Sequence, residues 1–284
     1  MTNSPVCRLE ASHLQSGWGG LEVEVVSRQS AVVSAWAASP LKILVPRPRG
    51  PSVWAYLSSF GGGLVAGDET NVTLTVGPKA RCFVSTQAST KVYRNPGFRP
   101  CGHRLKATLA EDSLLVLAPD PVQAFAGSGY EQRQEFHLQP RSGLVLLDWV
   151  CSGRVARGER WAFRRFQSRN EIMLDGQRLL LDSLLLDPAD GPFEDPCRMG
   201  RYNCLALVLL LGEPLRQAAA SLLESVAARP VPRRASLALS ASPSAQGAVL
   251  RVAGENVEDV RNEIHRLLDF LPALLHDDPW QRKW

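Results

Sequence analysis

Along most of this chain, apolar and polar side chains alternate with a period of two in short runs broken by glycine, proline or aspartate. In Asn71 to Val76 the apolar residues Val72, Leu74 and Val76 fall on one side and Thr73 and Thr75 on the other. After the Gly77-Pro78 turn signal, Ala80, Cys82 and Val84 alternate against Arg81, Phe83 and Ser85. This is the pattern of strands with one buried face. It predicts strands at Leu21 to Val26, Ala31 to Ala37, Val53 to Ser58, Asn71 to Val76, Arg81 to Thr86, Lys91 to Tyr93, Leu105 to Leu109 and Leu114 to Leu117. Further ones follow at Glu131 to Leu138, Gly143 to Val150, Arg160 to Arg169, Glu171 to Leu174 and Gln177 to Leu186. So many short strands at near-regular spacing point to stacked sheets or a solenoid, not to a βαβ fold.

The period changes after about residue 205. Leu205 to Leu211 is a continuous apolar run that suits a buried strand or a short helix. Pro214 to Ala228 carries Leu215, Ala218, Ala219, Leu222, Leu223 and Val226 at helical spacing, with Pro230 to end it. Ser236 to Ser240 and Ala248 to Ala253 read as a strand pair. Asn256 then caps a last helix whose Val257, Val260, Ile264, Leu267, Leu268 and Leu271 share one face. The fold class expected is therefore mainly β, with residues 1–204 as a β-stack and residues 205–284 as an α/β part with two helices packed on the same core.

A chain of 284 residues that is 45% hydrophobic buries roughly three quarters of its unfolded surface and needs no covalent staples. No stretch approaches the roughly 20 uncharged apolar residues of a membrane span, and Met1 to Gly20, with Arg8, Glu10 and His13, lacks a secretory signal, so a cytoplasmic protein without a membrane partner is expected. In such a compartment the six cysteines, Cys7, Cys82, Cys101, Cys151, Cys197 and Cys204, are not expected to form disulfides. The one arrangement that resembles a metal site is Cys101-Gly102-His103, joined by Cys197, Met199 and Cys204 if the fold gathers them, against the roughly four donors a closed zinc site needs.

The densest motif is Gly61-Gly62-Gly63-Leu64-Val65-Ala66-Gly67-Asp68. Gly61, Gly63 and Ala66 can be laid on the G-x-G-x-x-A dinucleotide fingerprint, which works only where a helix follows. Here a strand pattern follows, and Gly-Lys-Ser or Gly-Lys-Thr occurs nowhere in the chain. The segment thus reads as a tight backbone passage between strands, ending in a carboxylate that either closes its own turn or faces a metal path. Beyond it, Gln87, Ser89, Lys91 and Tyr93 alternate with Thr86, Ala88, Thr90, Val92 and Arg94; Lys91 and Arg94 would repel a divalent cation and read as structural or partner contacts.

Gly-Leu-Val-Ala-Gly-Asp, the Val-Gly-Pro turn and Thr-Gln-Ala-Ser-Thr-Lys-Val-Tyr-Arg together resemble the signature of the urease accessory protein UreD family, also called UreH. Further stretches resemble the family in the same order: Leu117-Ala118-Pro119-Asp120-Pro121, Leu147-Asp148-Trp149, Ser152-Gly153-Arg154, Arg157-Gly158-Glu159-Arg160-Trp161 and, loosely, Pro279-Trp280-Gln281-Arg282-Lys283-Trp284. The similarity covers nearly the full chain and is weakest over Met1 to Gly20 and Pro188 to Tyr202. It implies a two-layer, β-helix-like stack and a scaffold, not an enzyme. Such a scaffold would bind apo-urease and UreF, with UreG held through UreF, and help deliver nickel to a carbamylated-lysine site. No tightly bound cofactor is implied, only nickel in transit. Oxygen donors and water suit transit better than a closed thiolate cage, so the candidates are the motif carboxylates Asp68, Asp120, Asp148, Glu159 and Asp182, although Asp148 could instead pair with a motif arginine. The exposed apolar face of the last helix, at Leu267 and Leu271, or else Leu205 to Leu211, is the expected docking surface for UreF.

Two other classes remain compatible with the residues. Arg154, Arg157, Arg160, Arg164, Arg165 and Arg169, interleaved with Trp161, Phe163 and Phe166, fit single-stranded nucleic acid or the solvated face of a strand with Trp161 and Phe163 inward. A net charge of only +4 makes nucleic acid an unexpected partner. A hydrolase would need a site assembled only in the fold, since no Gly-x-Ser-x-Gly elbow exists and the five histidines are scattered.

Overall fold

The computed structural model describes residues 15–282; Cys7, His13 and the last two residues of the C-terminal motif lie outside it. The strands in chain order are Trp18–Val26 (β1), Gln29–Ala37 (β2), Leu41–Leu44 (β3), Val53–Ser59 (β4), Glu69–Val76 (β5), Arg81–Thr86 (β6), Lys91–Val92 (β7), Cys101–Leu109 (β8) and Leu114–Leu117 (β9). They continue with Val122–Ala124 (β10), Gly129–Leu138 (β11), Gly143–Cys151 (β12), Arg165–Leu174 (β13), Gln177–Leu186 (β14), Cys204–Leu211 (β15), Leu237–Ser244 (β16) and Gly247–Gly254 (β17). The helices are Arg216–Ala227 (α1), Val257–Leu267 (α2) and the short Leu271–Leu275 (α3).

Successive long strands alternate between two facing sheets. In the first, β1, β5, β8, β11 and β13 pair in parallel, and antiparallel β2 and β14 finish the two edges. In the second, β4, β6, β9 and β12 pair in parallel; β3 closes one side, and β15, β17 and β16 extend the other antiparallel. Each crossing of both sheets is one coil of a β-solenoid-like stack. The interior between them is filled by rows of in-register side chains such as Leu74, Ala107, Phe136 and Ile172, all buried.

Most strands fall where alternation predicts them, and Leu205 to Leu211 is a strand. The exception is Arg160 to Arg169: β13 begins only at Arg165 and runs unbroken through Glu171 to Leu174. Residues 160–164 belong to a loop instead, in which Trp161 holds a positive φ of 50°, which an extended strand cannot contain. Trp161 and Phe163 do turn inward, into an end cluster with Leu64, Val92, Tyr130 and Phe166. Leu41–Leu44 and Val122–Ala124 are strands too short to show a period.

The outer face of the second sheet is covered by helices. Leu215, Ala219 and Leu222 from the α1 region and Val260, Ile264, Leu267, Leu268, Leu271 and Leu275 from the C-terminal helices pack against Val208, Leu210, Leu250 and Val252. This corrects the docking expectation: Leu267 is 7% exposed and Leu271 fully buried, so the apolar face of the last helix is part of the core. The β15 run fares likewise, since it lies between β12 and β17 with both faces covered. Asn256 occupies the N-cap of α2, but its side chain donates to Asp259 Oδ2 at 3.1 Å and makes no bond to a first-turn amide. Among the described residues, no helix is long and apolar enough to cross a membrane.

The glycine segment is a passage between strands. Gly61 and Gly62 hold φ of 77° and 73° in a turn, and Gly63 then brings the backbone against β7. Leu64 N donates to Lys91 O at 2.8 Å and Tyr93 N to Leu64 O at 3.0 Å. A Cβ on Gly63 would lie 2.6 Å from both Lys91 O and the Tyr93 ring. Gly63→Ala is therefore expected to lower stability by about 1–3 kcal/mol, as overpacking against backbone does, read as a lower denaturation midpoint. Leu271→Asp places an unpaired charge in the helix-covered core; it is expected to abolish soluble expression, and a folded, soluble variant would contradict the burial described.

Candidate functional site

Parallel register repeats the chemistry of one coil in the next. On the inner face of the first sheet, Leu74, Ala107, Phe136 and Ile172 form an apolar row, and the adjoining row is Val72, Leu105, Gln134 and Asn170. The row beyond is Thr70, His103, Gln132 and Ser168, polar throughout. The interior thus changes from apolar to polar toward the N-terminal ends of these strands. Opposite this polar end, β12 of the second sheet turns Asp148 inward.

Asp148 is 9% exposed and touches no cationic group in the hydrogen bonds it makes. Gln132 Nε2 donates to its Oδ1 at 2.9 Å; Ser168 Oγ and Asn170 Nδ2 donate to Oδ2 at 2.5 and 2.8 Å. Among the described residues no arginine is paired with it, contrary to the alternative considered for it. Burial pushes its pKa up, and the nearby charge of Asp182 adds to this, while the three donors pull it down without cancelling the effect. Behind it, Tyr130 OH donates to Gln132 Oε1 at 3.1 Å, and the buried phenol is held firmly neutral. The side-chain oxygens of Gln134 and Asn170 are buried without a donor among the described residues. One interior region therefore holds a carboxylate and two unspent amide oxygens, a donor set suited to a hard or borderline cation.

A cavity of about 360 Å3 leads to this point. It runs from Ser58, Gln87, Thr90 and Asp120 past Thr70 and His103 to Gln132 and Asp148. A second cavity, of about 130 Å3, is lined by Asp148, Trp149, Asp182 and Arg251 among others. The two share Asp148 and Trp149 as wall residues.

The five carboxylates singled out by the motifs separate in the structure. Asp148 and Asp120 line the large cavity, and Asp182 the small one. Asp182 accepts from Arg251 Nη2 at 2.7 Å, a pair that links β14 to β17. Asp68 closes its own turn: its Oδ2 accepts from Val65 N at 2.8 Å, and its own N donates to Val65 O at 2.9 Å. Glu159 accepts from Arg154 Nε at 2.9 Å, from Arg154 Nη2 and from Ala126 N at 3.2 Å, near the end cluster and away from both cavities. Gln87 and Ser89 border the large cavity, Lys91 points outward and Tyr93 and Arg94 lie at the far end beside Glu159.

Cys101, His103, Cys197, Met199 and Cys204 are not assembled into one group. The Cys101 thiol donates to Val65 O at 3.0 Å, Cys204 stands opposite Cys151 in the second sheet and Cys197 is exposed. Among the described residues, no three His, Cys, Asp or Glu side chains gather closely enough to hold a metal ion. Two of the loop arginines make contacts within the protein, Arg154 with Glu159 and Arg160 with Asn203 Oδ1, Gly200 O and Tyr202 O. The large cavity does bring His103 near serines and Asp148, as a hydrolase would require. Yet His103 Nδ1 shares its 2.8 Å bond with Thr70 Oγ1, and Asp148 is spent on amides and Ser168, so His103 and Asp148 form no relay from nucleophile to base to carboxylate.

Desolvation lowers the His103 pKa to about 4 from an ordinary 6.5. A folded-state pKa below the unfolded one contributes stability that is present above about pH 6.5 and lost as pH falls toward 4. The stability of the protein is expected to decline through that window, and His103→Gln to flatten the decline, measured by denaturant midpoints from pH 7 to 4.

Comparison with known proteins follows the same outline. Residues 16–284 match the family model described as UreD urease accessory protein. The chain is 47% identical over 272 residues to the "Urease accessory protein UreD" of Sorangium cellulosum, covering 95% of this chain and 85% of that protein. It is 40% identical over 269 residues to the protein of that name from Anaeromyxobacter sp., covering 95% and 90%. With the "Urease accessory protein D" of Arabidopsis thaliana it shares 32% over 292 residues, covering 92% and 99%.

Proposed function

Because this chain belongs to the UreD family of urease accessory proteins, maturation factors and not enzymes, we propose that it hands nickel to apo-urease through the two cavities that meet at Asp148. The cation would enter among Ser58, Gln87 and Asp120, exchange part of its water for the amide oxygens and carboxylate at the polar end of the core, and leave toward Asp182. Asp148 carries the reading. A carboxylate buried at a junction of cavities, supported only by neutral donors, is costly to keep charged. A passing divalent cation is the partner that would offset that cost. The donors present are too few for a tight, closed site, which favours release over storage.

In this reading the protein acts within a complex with UreF, and with UreG through UreF, in the cytoplasm. With Leu267, Leu271 and Leu205 to Leu211 inside the core, the contacts to these partners must use other surfaces.

The test is co-expression of urease subunits with UreF, UreG and this chain carrying Asp148→Ala or Asp148→Asn. Asp148→Asn is expected to keep the wild-type melting temperature to within a few degrees and Asp148→Ala, which orphans three buried donors, to lower it while remaining folded; both are expected to lower nickel per purified urease on the order of tenfold, the scale felt when groups supporting a metal are lost. Full nickel loading and urease activity with a folded Asp148→Ala protein would overturn the proposal.

A further inference from the structure

Beside the C-terminal ends of β7, β10 and β12, separate from both cavities, an open pocket of about 520 Å3 is lined by Tyr93, Arg94, Phe125, Gly127, Arg154 and Arg164, together with Glu159. It shares no lining residue with the passage to Asp148. Three guanidinium groups face one carboxylate, and that carboxylate is already spent on Arg154 and Ala126 N.

The pocket is rigidly built. Arg154 is fixed on two sides, by its paired contacts with Glu159 and by lying over the Phe125 ring, 4.2 Å from its centroid. A guanidinium has five N–H donors, and Glu159 uses two of them, so Arg154 keeps donors to offer in a fixed orientation. Tyr93 meets Phe125 edge to face at 5.4 Å and supplies a half-buried aromatic wall. Gly127, at φ 70°, leaves room for Arg94, whose Cγ would be 3.3 Å from any Cβ there. Arg94 is exposed and has no carboxylate partner among the described residues.

We infer that this pocket binds an acidic peptide segment of a partner protein, the carboxylates meeting Arg94 and Arg154 and the aliphatic stems resting on Tyr93. Carboxylate geometry matches the planar fork of arginine. The volume exceeds what one inorganic oxyanion fills. The Phe125 face is closed to a nucleotide base, because Arg154 covers it. The inference is independent of whether nickel uses the cavities at Asp148.

The experiment is fluorescence polarisation of a labelled hexaglutamate peptide with the full chain, against Arg94→Glu, Arg94→Gln and, as an equally basic control on the outer face of the first sheet, Arg133→Gln. Saturable binding is expected, weakened at least about tenfold by Arg94→Glu, the scale of one charge-assisted contact, weakened less by Arg94→Gln and unchanged by Arg133→Gln. Melting temperatures establish that the variants are folded, and Arg94→Gln stands in if Arg94→Glu is not. No binding, equal loss with Arg133→Gln, no loss in a folded Arg94 variant, or full displacement by stoichiometric inorganic phosphate would each overturn it.

Discussion

In-register parallel pairing is the constraint on which this molecule depends. Once β5, β8, β11 and β13 are aligned, a residue placed inward in one coil stands beside its counterparts in the next, and the interior becomes a set of rows. Leucine, phenylalanine and isoleucine rows make the core that holds the sheets together. The Thr70, His103, Gln132 and Ser168 row, at the ends of the same strands, produces a polar chamber without any change of fold. Stability and site come from one geometry, displaced by four residues along each strand.

The sheet opposite decides what that chamber can do. An inward leucine at position 148 would have extended the apolar core, as Leu146 and Leu144 do next to it. A carboxylate there demands donors, and Gln132, Ser168 and Asn170 supply them from two adjacent coils. That network orients Asp148 while leaving its charge without a cation. The helices on the outer face seal the second sheet from the other side, so the chamber communicates with solvent along the gap between sheets and not through the helical layer.

Much of the fold was legible in alternation, since a half-buried strand advertises its buried face. Where backbone torsion rather than side-chain pattern set the structure, as at Trp161, alternation predicted strand in what is a loop. Helical spacing revealed the apolar face of the last helix but not what covers it, because Leu267 and Leu271 are buried by strands far away in sequence. The site was half visible. Asp148 and Asp120 stood out through their motifs, yet the polar residues that make a chamber of them did not. Their signal was present: the inward face of β11 reads Gln132, Gln134, Phe136, Leu138, and that of β13 reads Ser168, Asn170, Ile172, each polar first and apolar after. Only register turns those separate beginnings into one surface. The end pocket was hidden for the same reason, since Arg94, Phe125 and Arg154 come from three coils.

In the proposed role, a divalent cation meets this protein at the polar end of the inter-sheet core. Anomalous diffraction at the nickel absorption edge, from crystals of the protein soaked in a nickel salt, addresses it directly. An anomalous peak is expected between Asp148 and the side-chain oxygen of Gln134, both lining the large cavity, and is expected to be absent in Asp148→Ala crystals soaked in the same way. Nickel bound only at surface residues, with the same distribution in both proteins, would contradict it.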